Sequence, residues 1–69
     1  MSRAQLAVLH FNHGAALADA GRLVEAAAAY AEALRARPDW ALAHHHLATV
    51  RWGLDDRAAA ATHFAAALA

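Results

Sequence analysis

Apolar positions recur along most of the chain with the spacing of an α-helix. Residues three and four apart lie on the same side of a helix, so this recurrence predicts faces that pack against the rest of the protein. No stretch alternates between apolar and polar residues with the period of two that a half-buried strand shows. The pattern predicts an all-α fold, and its clearest core face is the stripe formed by Leu23, Ala26, Ala27, Tyr30, Ala33 and Leu34.

Capping and turn residues predict the bounds of the first two helices. Ser2 and Gln5 have the spacing of a capping box, in which each side chain binds the backbone of the other residue. A first helix is therefore expected over about 3–19. Gly21 can adopt the left-handed conformation that ends a helix at low cost, and a second helix is expected over about 23–36.

The second half of the chain carries its own start and stop signals. Pro38 disfavours helical geometry at the residue before it, and Asp39 is a favourable N-cap for a third helix from about 40 to 52. The segment Gly53–Asp55 predicts a break, after which one of two consecutive aspartates caps a fourth helix that reaches residue 68. The connections are short, which predicts antiparallel neighbours.

The two halves of the chain correspond to each other at an offset of 34 residues. Alanine matches carry little weight in so alanine-rich a sequence, whereas histidine, aromatic and leucine matches at one offset are informative. A unit of 34 residues with two helices is typical of a tetratricopeptide repeat. The aligned pairs are His10 and His44, Gly14 and Ala48, Ala26 and Ala60, Tyr30 and Phe64, Ala33 and Ala67, and Leu34 and Leu68.

The first unit, at about 7–40, resembles the tetratricopeptide repeat family, with Gly14, Leu17, Gly21, Ala26, Tyr30, Ala33, Leu34 and Pro38 in family order. His10 and His13 stand where the family usually has Trp and Leu. The partial second unit, at about 41–69, departs further at Ala48, Arg51 and Asp55. The chain also resembles repeats of bacterial proteins in which such arrays precede a glycosyltransferase or sulfotransferase domain.

This resemblance implies a single domain over residues 1–69, folded as a right-handed α-solenoid of two stacked antiparallel helix hairpins. Tyr30 and Phe64 would fill the space between hairpins, and Arg51 would lie on the core side. Small residues would lie where helix backbones approach, namely Gly14, Ala26, Ala33, Ala48, Ala60 and Ala67. Stacked repeats cover one another, and at least three are usually needed for stability. With fewer than two units, the chain is expected either to form a homo-oligomer through its uncovered fourth helix or to belong to a longer array.

In this family the first helix of each hairpin lines a concave groove that binds a peptide or partner helix. Phe11 and Trp52 are the sharpest candidates for contact, because exposed aromatic residues often anchor interactions; the alternative is that both pack against a neighbouring repeat. Asn12 matches a groove asparagine that binds peptide backbone, and the groove lacks the Lys and Arg of a carboxylate clamp. The implied groove residues are Val8, Phe11, Asn12, Ala15, Asp19, Leu42, His45, His46, Thr49 and Trp52.

Composition and charge narrow the classes of function. Six basic and six acidic residues give no net charge, and the arginines are scattered, so neither nucleic acid nor a membrane surface is an expected partner. There is no cysteine for a disulfide or thiolate site. No run of apolar residues is long enough to span a membrane, and the first residues lack the order of a secretory signal, so a cytoplasmic location is expected.

The histidines are the only candidates for metal ligation. His44, His45 and His46 are consecutive and cannot all face one ion on a regular helix. His10 and His13 share a face and could hold Zn or Ni with a third ligand, but His10 and His44 are better explained as partly buried packing residues. We therefore expect no metal and no cofactor.

Thr49 and Thr62 lie in alanine-rich helices without a recognisable base and acid arrangement, and capping explains Asp55 and Asp56, so no catalytic residue is assigned. The sequence predicts an adaptor or scaffold that binds a protein or peptide. The alternatives are a repeat segment of a transferase that serves substrate presentation, and a self-assembling structural unit.

Overall fold

The computed structural model describes the backbone of residues 1–68 and the side chains of residues 1–57. Three helices and no strand occupy this part of the chain: α1 spans Arg3–Asp19, α2 spans Leu23–Ala36 and α3 spans Ala41–Leu68. α1 and α2 form a hairpin, and α3 packs against α2. The predicted all-α class is confirmed. None of the helices described is both long enough and apolar enough to cross a membrane.

Both ends of α1 follow the sequence prediction. The Gln5 backbone N–H donates to the Ser2 hydroxyl at 3.1 Å, and the Ser2 backbone N–H donates to the Gln5 side chain at 2.8 Å. At the other end Gly21 has a φ of 78°, and the N–H of Arg22 donates to the carbonyl of Leu17 at 2.9 Å. These bonds satisfy backbone groups that a helix end otherwise leaves unpaired.

The connection between α2 and α3 differs from the prediction in its cap. Arg37 has an extended backbone with a φ of −144°, as expected of a residue before proline. α3 begins at Ala41, so Trp40 rather than Asp39 directly precedes the helix. The His44 side chain instead stabilises the connection, because its Nε2–H donates to the carbonyl of Pro38 at 2.8 Å.

The core is built around the ring of Tyr30, which is 2% exposed. It packs with Ala26, Leu47 and Val50, so α2 and α3 contribute jointly to the buried cluster. The predicted stripe on α2 is thus confirmed as the core face. Other positions of close helix approach are held by alanines, and the buried ones are Ala7, Ala29, Ala33 and Ala43.

Gly14 is the point at which α1 comes closest to the core. A Cβ placed on Gly14 would lie 2.8 Å from both Cδ1 and Cε1 of Tyr30, which is shorter than any comfortable carbon contact. Only a glycine allows the α1 backbone to rest against the ring at this position. The tyrosine ring and the missing side chain of Gly14 therefore set the spacing of the hairpin together.

The predicted break at Gly53–Asp55 is not present, because α3 continues through it as a single helix of 28 residues. A glycine inside a helix costs only about 1 kcal/mol relative to an alanine, and the many alanines of α3 favour continuation of the helix. Gly53 does not take a positive φ, and its missing side chain accommodates Leu23, whose Cδ1 would lie 3.2 Å from an added Cβ. Asp55 consequently lies inside the helix and not at an N-cap.

The continuous α3 changes the surroundings of residues that a fourth helix was expected to cover. Ala48 was predicted at a close helix approach and Arg51 on the core side, yet both are exposed. In the described part of the chain nothing folds back onto that face of α3. The predicted plug Phe64, and the predicted contacts of Ala60, Ala67 and Leu68, lie outside the described side chains.

The contact between Gly14 and Tyr30 predicts that Gly14→Ala destabilises the protein. Alanine gains about 1 kcal/mol in helix propensity, but overpacking against a buried ring costs about 1–3 kcal/mol, so we expect a net loss of about 1 kcal/mol. Urea unfolding followed by circular dichroism measures the change. Ala16→Gly, at an exposed position of the same helix, calibrates the propensity difference. If Gly14→Ala instead stabilised the protein by the full difference in helix propensity, the steric contact between position 14 and the Tyr30 ring would be contradicted.

The continuity of α3 predicts the opposite response at Gly53. Because Gly53 is helical, Gly53→Ala should stabilise the protein by up to about 1 kcal/mol, with Leu23 shifting slightly to admit the methyl group. The same unfolding measurement applies. If Gly53 instead ended a helix with a positive φ, the substitution would destabilise the protein by a similar amount, and four helices would be the correct description.

Candidate functional site

A cavity of about 270 Å³ lies between α1 and α3 on the side where both helices flank Tyr30. α1 and α3 form its two walls because both pack near the same part of α2, and Tyr30 reaches the cavity from α2 between them. We call this cavity the α1–α3 groove. It is lined by Ala15, Ala18, Asp19, Tyr30, His45, His46, Thr49 and Val50.

An aromatic cluster joins the two walls of the groove. The ring centroid of Phe11 lies 4.8 Å from that of Trp40, 4.9 Å from that of His46 and 5.5 Å from that of Tyr30. These separations are typical of favourable tilted aromatic pairs. Arg37 adds a cation–π contact, with its guanidinium carbon 5.3 Å from the centroid of the Trp40 ring. Through Phe11, the cluster holds α1 and α3 at a defined separation.

Hydrogen bonds fix two polar side chains of α3 that line the groove. The Thr49 hydroxyl donates to the carbonyl of His45 at 3.0 Å. Nδ1 of His46 lies 3.2 Å from the carbonyl of Leu42, and because a carbonyl only accepts, this nitrogen carries the proton. Both side chains are therefore oriented by the backbone one helical turn earlier.

The one carboxylate in the groove lining belongs to Asp19, at the last turn of α1. Burial raises the pKa of the Tyr30 phenol above its ordinary value, and the negative charge of Asp19 raises it further. Among residues 1–57, no arginine lines the cavity. Asp19 thus supplies the negative charge of this lining.

The structure brings together only some of the ten groove residues that the family resemblance implied. Five of them, Ala15, Asp19, His45, His46 and Thr49, line the cavity. Sequence reasoning missed Ala18 and Val50, which follow helical spacing from Ala15 and His46, and it treated Tyr30 as core alone. The remaining implied residues lie outside the cavity lining, namely Val8, Phe11, Asn12, Leu42 and Trp52.

Phe11 and Trp52 have different surroundings, although the sequence grouped them as exposed anchors. Phe11 is half-buried in the aromatic cluster and is therefore not a solvent-facing anchor. Trp52 is 72% exposed on α3. The two differ because Phe11 faces α3 across the groove, whereas no described side chain covers Trp52.

The histidines of α1 lie at a second cavity, of about 330 Å³, on the other side of the hairpin. His10 and His13 line it together with Glu25 and Glu32. Within the described residues, no three side chains of ligating type are arranged to hold a metal ion, so His10 and His13 have no third ligand there. His10 is half-buried as predicted, but the prediction for His44 is wrong, since it is exposed and bonds the Pro38 carbonyl.

These surroundings predict unequal effects of removing the two aromatic side chains. Phe11→Ala should destabilise the protein by about 1–3 kcal/mol, because it removes the contacts that join α1 to α3. Trp52→Ala should change stability by no more than about 0.5 kcal/mol, as is usual for surface positions. Thermal and urea unfolding of the two variants test this. Equal losses, or a larger loss at Trp52, would show that Phe11 is not the residue that joins the two helices.

Comparison with known proteins adds no identification. No protein-family model matches the sequence, and neither a curated protein nor a solved structure shows significant similarity to it.

Proposed function

We propose that the chain is a non-catalytic scaffold that binds an extended peptide or a partner helix in the α1–α3 groove. The observation that carries this proposal is the cavity between the two helices, lined by small apolar side chains and a few convergent polar groups. Binding sites commonly combine these features. Exposed Val8 and Leu42 provide further apolar surface on α1 and α3 for a bound segment.

We further propose that the chain is a tetratricopeptide-type repeat, with the N-terminal half of α3 acting as the first helix of a second unit. Several features of the described residues support this. Gly14 lies against Tyr30, Gly21 closes the hairpin with a positive φ, and α3 packs its Ala43, Leu47 and Val50 side inward. In this proposal the complete solenoid of stacked hairpins forms only when further helical surface covers α3.

A second candidate function is self-assembly through the uncovered face of α3. Ala48 is exposed although Gly14, the residue that precedes it by 34 positions, is buried against α2. Arg51 is likewise exposed, whereas the corresponding Leu17 is half-buried. A second copy of the chain that packed its own helix on this face would give Ala48 the surroundings that Gly14 has in the hairpin.

Neighbouring positions of α3 separate the two candidates in one experiment. Thr49 and Ala48 are both exposed, but only Thr49 lines the groove. Peptides that bind the wild type are first selected from a random display library, and the best one is synthesised and measured by fluorescence anisotropy. Thr49→Arg should weaken its binding at least about tenfold by filling the groove, whereas Ala48→Arg should change it less than about twofold.

Sedimentation of the same two variants tests self-assembly. If a second copy covers α3, Ala48→Arg should dissociate the oligomer, and Thr49→Arg should leave it intact. Groove binding is contradicted if no selected peptide binds, or if the bound peptide is insensitive to Thr49→Arg. A folded wild-type monomer at micromolar concentration contradicts the self-assembly candidate.

A further inference from the structure

We propose that the α1–α3 groove selects peptides that carry a cationic side chain, lysine or arginine, and that this cation is bound beside Asp19. The inference rests on the proposed function and adds the chemical class of the ligand. Its basis is the hydrogen-bonding capacity and charge of the groove, together with the shape of its apolar walls.

The polar groups that line the groove mostly have acceptor capacity left over. The Thr49 hydroxyl donates its hydrogen bond to the carbonyl of His45, so only its lone pairs remain available to a ligand. Nδ1 of His46 donates to the carbonyl of Leu42, so in the Nδ1–H tautomer Nε2 of the same ring is an acceptor. Asp19 offers a carboxylate that only accepts. A ligand rich in N–H donors satisfies these groups, whereas an acceptor-rich ligand does not.

The charge of Asp19 is not neutralised by a neighbouring cation. Within residues 1–57, Glu25, Glu32 and Asp39 each lie within 4 Å of an arginine nitrogen, whereas Asp19 takes part in no ion pair. Among residues 1–57, Asp19 is the one acidic residue of the lining, which contains no lysine or arginine. A cationic group of the ligand is thus complementary to the groove, and an anionic one is repelled.

The surroundings of Asp19 fit a long side chain that ends in a cation. Ala15, Ala18 and Val50 provide apolar surface for an aliphatic stem, as lysine and arginine require when only the charged end remains near polar groups. The rings of Tyr30 and His46, which stand edge to face with centroids 5.7 Å apart, add aromatic surface to the same lining.

Nuclear magnetic resonance titration of the whole chain, labelled with ¹⁵N, tests the inference at the weak affinity expected of a short peptide. The probes are three blocked nine-residue peptides of alanine and serine that differ only at the centre, which is lysine, norleucine or glutamate. Norleucine keeps the aliphatic stem and removes the charge. The lysine peptide should shift the amides of Ala15, Asp19 and Thr49 and bind about three to five times more tightly than the norleucine peptide.

Two substitutions of equal charge change provide the matched comparison. Asp19→Asn should abolish the preference for lysine over norleucine while leaving the norleucine peptide unaffected. Asp39→Asn removes a carboxylate outside the groove, one that is 89% exposed, and should preserve the preference. Both variants retain a side chain of nearly the original size, so the fold is expected to survive.

The outcomes separate this inference from the proposed function. If the lysine and norleucine peptides bind equally, or if Asp19→Asn leaves the preference intact, cation selection is overturned while groove binding stands. Tighter binding of the glutamate peptide also overturns it. If none of the three peptides shifts groove amides but the display-selected peptide does, the inference fails alone. If that peptide fails as well, the proposed function fails with it.

Discussion

The rest of the structure depends on the contact between the Tyr30 ring and the backbone of α1 at Gly14. A Cβ at Gly14 would lie 2.8 Å from two ring carbons, so the ring occupies the space in which a side chain would otherwise stand. Tyr30 also belongs to the buried cluster that includes Leu47 and Val50 of α3. One aromatic ring thus sets the distance from α2 to both of its neighbours, and the positions of α1 and α3 follow from it.

The groove is a consequence of the same contact. α1 and α3 both approach α2 near Tyr30, in the middle of that helix, and the aromatic pairs of Phe11 with Trp40 and His46 hold the two helices apart. The space left between them is lined by the short side chains of Ala15 and Ala18, which cannot fill it. Stability and recognition therefore share residues, and a substitution at the floor of the groove is expected to affect both.

The sequence predicted those parts of the fold that local interactions determine. The Ser2 capping box, the helix end at Gly21 and the core stripe of α2 need only neighbouring residues, and all three are present. The prediction of a break at Gly53 was wrong because glycine can adopt a turn conformation but can also lie inside a helix. Whether it does depends on packing, and here Leu23 occupies the space beside a helical Gly53.

The groove was only partly predictable for a related reason. The family resemblance implied His46 and Thr49 as groove residues, and both line the cavity from α3. Helical spacing identifies residues that share a face, but it does not tell whether an aromatic residue on that face reaches across to another helix. Phe11 does so because Trp40 and His46 stand opposite, and those residues come from a connection and a helix start that sequence spacing alone does not position.

An alanine-rich chain also limits how such a groove can distinguish one ligand from another. Alanine allows helices to approach closely, but it supplies neither hydrogen bonds nor much shape, so selectivity depends on the few larger side chains between the helices. Here those side chains offer acceptors and one carboxylate, while the arginines of residues 22, 35 and 37 lie beside carboxylates outside the groove. If the groove binds peptides as proposed, the distribution of charge, more than the amount of buried surface, determines which peptides fit.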